Sequence, residues 1–139
     1  MDNLLFRSFL CGACFLTDRP PRVEVLGPGD IRRTMPRFQG ADYEANLKLL
    51  EPLQALAREA GCATAQLALA WVLAQGEHVI ALPGSTRIEH LNEDLGADGL
   101  DLDPETLRRA GEIISQATVH GPRYTASSQK DVTTEEFPA

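Results

Sequence analysis

The chain has 139 residues, 43% of them hydrophobic, the size and apolar content of one ordinary domain with its own core. A formal net charge of −7, from 13 Lys and Arg against 20 Asp and Glu, excludes the clustered cationic surface that nucleic acid or an anionic membrane requires. Three cysteines, Cys11, Cys14 and Cys62, are too few and odd in number for a disulfide scaffold, so a reducing compartment and a cytoplasmic location are expected.

Residues 1–16 read as a strand-like or unstructured start. Leu4 to Leu16 is a poor targeting segment, because Arg7 interrupts it and Met1-Asp2-Asn3 is not basic. Nothing approaches the roughly 18 apolar residues of a membrane span. Cys11-Gly12-Ala13-Cys14 has C-x-x-C spacing but lacks both the strand–helix context of a redox pair and the second ligand pair of a zinc site. His78, His90 and His120 also lack metal-ligand spacing, so no metal is expected. Residues 17–41 are rich in Pro, Gly and Arg without a sustained period and read as one long loop, in which Arg32-Arg33 are solvated surface, as are Arg108-Arg109 further on.

From Tyr43 to Ala60, Leu47, Leu50, Leu53, Leu56, Ala57 and Ala60 recur at helical spacing, and Gly61 follows as the C′ residue. Pro52 inside this helix predicts a kink or break at a cost of about 3 kcal/mol. Thr64 is the expected cap of a second helix, Ala65 to Gln75, that is apolar on almost every face and so must be buried all round, with Trp71 as part of that packing. Gly76 ends it.

Val79 to Leu82 is too short for a helix and contains two β-branched residues, so it reads as a buried strand, broken by Pro83-Gly84. Thr86 and Glu89 form an expected capping box, with Ser85 as the alternative N-cap, and Arg87 falls in the first turn. First-turn N–H groups beside a guanidinium suit a phosphate, although strand–turn–helix junctions with a basic residue also occur as plain structure. The helix that follows has Ile88, Leu91 and Leu95 on one face. Leu100-Asp101-Leu102 is extended, Asp103-Pro104-Glu105 caps a last helix from Pro104 to Ala117, and the polar remainder from His120 is expected to fray. Helix, strand, helix in this order is the rhythm of a parallel α/β protein.

Pro36-Arg37-Phe38, Asn46-Leu47, the run Gln66 to Leu73, Pro83-Gly84-Ser85, Leu91, Glu93 and Gly121-Pro122-Arg123-Tyr124 together resemble the carboxyl-terminal part of an aldo-keto reductase, from Asp30 to about Tyr124. Phe15-Leu16-Thr17 is similar to the loop after that family's seventh barrel strand, with Gly12 in register and Met1 to Leu10 a degraded version of the strand. The resemblance implies the following fold class: α/β, a carboxyl-terminal fragment of a (β/α)8 TIM barrel, mostly helical with one or two parallel strands. Residues 42–124 would then be a partial NADP-dependent oxidoreductase domain and 125–139 a polar tail.

The family reduces aldehydes and ketones with NADPH, so the resemblance implies a partial cofactor site of Gly84, Ser85, Thr86, Arg87, His90, Glu93 and Asp94. Ser85 would bond the 2′-phosphate, Arg87 would balance its charge, and Glu93 and Asp94 would face the adenine. His90 stands where the family often has a basic or aromatic residue, and Asp94 where it usually has Asn, which weakens the preference for NADPH. The family's catalytic Tyr, Lys, Asp and His precede the matching stretch, and no catalytic role falls to Tyr43, Tyr124, Lys48 or Lys130. A piece with about two of eight strands leaves open edges and an uncovered apolar helix, which predicts self-association or a missing barrel half as partner. The alternative is a non-catalytic helical interaction module or one half of a split protein.

Overall fold

The computed structural model describes residues 15–130; the strand-like start at Met1 to Leu10 and the Cys11–Cys14 turn lie outside that range. The described residues form helices α1 (Gly40–Glu59), α2 (Thr64–Leu73), α3 (Ile88–Leu95), α4 (Pro104–Ile113) and α5 (Ala126–Gln129), with short 3-10 turns before α1 and between α3 and α4.

Helix α1 places Leu50, Leu53, Leu56 and Ala57 in the core. It runs unbroken through Pro52, so of the expected kink or break the break does not occur. Pro52 lies on the exposed side of the helix, and each buried leucine is worth about 1.5–3 kcal/mol, so their burial outweighs one lost backbone bond. The helix stops where the sequence says it should: Gly61 adopts φ 72°, its N–H donates to Arg58 O at 3.1 Å and the Cys62 N–H to Ala57 O at 3.0 Å, a Schellman ending. The left-handed conformation is what requires glycine there.

Helix α2 is covered nearly all round: Thr64, Ala65, Leu67, Ala68, Leu69, Ala70 and Val72 are buried, and Trp71 is half-buried against the main core. The expectation of an uncovered apolar helix is thus corrected, because α1, α3, α4 and the turn Gly96–Gly99 pack around it. Thr64 is the first helical residue rather than the cap. Its hydroxyl donates to the Asp18 carboxylate, while Gln66 Oε1 takes the Ala63 N–H at 3.0 Å, supplying the end of the helix in its place.

The segment read as one long loop is built of 3-10 turns at Val23–Val25, Ile31–Arg33 and Pro36–Phe38. Arg32 is not simply solvated surface. Its guanidinium grips Asp30 through Nε–Oδ1 at 2.9 Å and Nη2–Oδ2 at 2.6 Å, and this partner holds the Asp30 carboxyl down to about 2. Arg33 donates to Leu26 O at 2.7 Å. Met35, Phe38 and Tyr43 form a second core, in which the Tyr43 ring stacks on Phe38 and its hydroxyl donates to Pro21 O at 2.9 Å.

Helix α4 begins as read, with the Asp103 side chain accepting the Thr106 N–H, but ends at Ile113 instead of Ala117. Thr118 Oγ1 donates to Ile113 O at 2.8 Å, diverting a carbonyl that the next turn would need. The segment after it does not fray at His120. Buried Asn46 accepts the His120 N–H at 2.8 Å and donates back to His120 O at 2.9 Å, and Arg37 Nε donates to Gly121 O at 2.9 Å.

The expected strand at Val79–Leu82 forms no ladder among the described residues, where Ile80 is a single bridge position. A strand exists by pairing, and a single bridge position makes no ladder. Val79 is buried and Ala81 half-buried, while Ile80 and Leu82 are exposed, so the segment alternates as a strand does.

Two outcomes follow from this packing. Leu67, with no exposed surface, is expected to cost about 2–5 kcal/mol on Leu67→Ala, read as a lower urea midpoint. Asn46→Leu should leave α1 folded while amide exchange at His120 accelerates at least tenfold; unchanged exchange would show that the clasp contributes nothing.

Candidate functional site

Residues Gly84 through His90 are all exposed, and Glu93 and Asp94 are half-buried. Chain continuity places Gly84 to Arg87 just ahead of α3, His90 in its first turn, and Glu93 and Asp94 in its last turn. The capping assignment changes, however: Arg87 is the N-cap of α3, with extended backbone at φ −129° and ψ 139°, and helical residues begin at Ile88. Neither Thr86 nor Glu89 forms the expected capping box, because no side chain caps the first turn. Ser85 turns inward on the loop instead, its Oγ donating to Arg87 O at 2.9 Å and accepting the Arg87 N–H at 3.3 Å. That small ring fixes the Ser85–Arg87 backbone just ahead of the helix.

The consequence is chemical. Helical N–H groups in the first turn of α3 face solvent without a side-chain acceptor, the arrangement that accepts an anion. The Arg87 guanidinium stands beside them, and Arg87 Nε contacts Glu89 Oε2 at 3.3 Å with both side chains largely exposed. Such a pair is worth little and can yield to a stronger anion. At the other end of the helix, burial pushes the Asp94 carboxyl up, partly offset by His90. The region therefore combines one guanidinium and open amides with acidic neighbours at Glu89, Glu93 and Asp94, which suits an anion carried at the amino end of α3 and disfavours one near its carboxyl end.

Gln66 positions this helix. While its Oε1 serves α2, its Nε2 donates to Glu93 O at 3.0 Å. Gly96 permits the approach: a Cβ there would stand 2.6 Å from Gln66 Nε2. The signal was present only as a polar residue in an otherwise apolar helix.

Ile88, Leu91 and Leu95 do not dock inside as an amphipathic helix implies, being 75%, 48% and 65% exposed. The remaining ionisable candidates are structural or superficial. Tyr43 is committed to Pro21, Lys48 and Lys130 are exposed, and burial pushes the Cys62 thiol up, away from reactivity. No helix of the described residues is long and apolar enough to cross a membrane.

The sequence profile of the Aldo/keto reductase family matches residues 13–115. Aldo-keto reductase yakc [NADP(+)] of Schizosaccharomyces pombe is 36% identical over 120 residues, covering 86% of this chain and 34% of that protein. Probable aldo-keto reductase 1 of Glycine max is 40% identical over 102 residues, covering 73% of this chain and 30% of that protein. The chain therefore spans about a third of the length of these curated relatives. Because the matched stretch takes in α1 to α4 together with the loop that opens α3, the chain belongs to the aldo/keto reductase family.

Proposed function

We propose that this chain carries the phosphate-gripping end of a family NADP(H) site on part of a (β/α)8 barrel, and that carbonyl reduction needs residues which the matched stretch does not supply. The observation that carries the reading is the uncapped amino end of α3 with Arg87 beside it. The first-turn amides and the guanidinium would hold a 2′-phosphate, and Ser85 would join them once its bond to the Arg87 carbonyl opens. The half-buried Asp94, with its raised carboxyl, would lie toward the adenine with Glu93. The printed name of the fission-yeast relative includes NADP(+), which supports the nucleotide class. The odd cysteine count supports a cytoplasmic setting.

A second reading, a non-catalytic interaction module, is favoured by the bare apolar face of α3. Calorimetric titration separates the two. NADPH is expected to bind, NADH to bind more weakly, and Arg87→Ala to weaken NADPH by roughly tenfold, the worth of one charge-assisted contact. Absence of heat at millimolar NADPH would overturn the nucleotide reading. Asp94→Asn should tighten NADPH by a few fold, by removing a negative charge and adding amide donors. With NADPH and a simple aldehyde, the chain alone is expected to show no loss of absorbance at the nicotinamide band; turnover would refute the view that its chemistry lies elsewhere.

A further inference from the structure

The stripe Ile88, Leu91, Leu95 on α3 is bare over most of its area, while the helix is tied to α2 through the Glu93 carbonyl on its opposite side. Spacings of three and four give these residues one a, d, a turn of a heptad. In that frame Arg87 and Asp94 both occupy g positions, seven residues apart on the same flank, and Asn92 occupies e on the other. Two such helices packed antiparallel set g against g. Arg87 of each copy then meets the partner subunit's Asp94, and the contact repeats across the two-fold axis. A parallel pairing would set Arg87 against Asn92 and Asp94 against Gly99, beyond the end of the helix, and gain no ion pair.

We propose that a second copy of this chain docks on this stripe, α3 against α3 in antiparallel orientation, with register fixed by two symmetry-related Arg87–Asp94 pairs. The apolar seam supplies attraction and the charges supply orientation. An eight-residue helix places the contact among small, reversible interfaces, and the charge of −7 on each copy keeps it weak unless salt screens the repulsion. The Arg87–Glu89 contact is exposed and is exchanged for the new pair at little cost.

Sedimentation velocity of the full chain in physiological salt, from about 10 μM to about 1 mM, tests this. A reversible monomer–dimer equilibrium is expected. Arg87→Glu and Asp94→Arg, each placing like charges together, should weaken it by roughly tenfold, and the combined variant should recover to within about threefold of the parent. Unchanged far-UV circular dichroism checks that the substitutions at exposed Arg87 and half-buried Asp94 leave the fold intact. A monomer throughout the range, a dimer indifferent to either reversal, or a combined variant that fails to recover would overturn the proposal.

Discussion

Burial of α2 is the constraint around which the described structure is arranged. A helix carrying leucine, alanine, valine and tryptophan on every side has no face to offer water. Coverage comes from α1 and α4 on the main-core side and from α3 with the Gly96–Gly99 turn on the other. Leu16 closes the same core from the loop before α1. The polar exceptions at its start, Thr64 and Gln66, are turned to use: one fastens Asp18 and the other fastens α3. Buried polar groups persist where each has its bond, and these do.

The same arrangement explains why the candidate nucleotide site is so open. Its chemistry resides in backbone amides, one hydroxyl and one guanidinium, all on a loop and a first helical turn that project away from the core. Loops held by a packed scaffold are where binding groups gather. The electrostatic balance is local as well: a molecule with net charge −7 can attract an anion only where amides and Arg87 outweigh Glu89.

Helical periodicity and end signals were legible because they depend on neighbours in the chain. The Leu50, Leu53, Leu56 row, the Gly61 stop and the Asp103-Pro104 start are all realised. Val79–Leu82 was read as a buried strand from its length and β-branched residues, whereas Ile80 and Leu82 are exposed and sheet pairing depends on residues elsewhere. The 3-10 turns before α1 rest on bonds three residues apart, which leave no apolar period to detect. Asn46 and Gln66 were read only as part of the family likeness, and their clasping bonds were not legible because the partners lie 74 and 27 residues away. At the candidate site, residue identities and grouping were readable, whereas the choice of N-cap was settled by the preference of Ser85 for the Arg87 backbone. The nucleotide itself came from family likeness.

Gln66 gives α3 the mechanics of a cantilever. Its carboxyl end is pinned by one amide above Gly96, and from Ile88 to Asn92 every residue is exposed. Load applied near Ile88 is felt where the helix meets α2 and the Gly96–Gly99 turn, and there Gln66 also holds the first turn of α2. Strain at the tip would therefore be delivered straight into the most deeply embedded helix of the molecule.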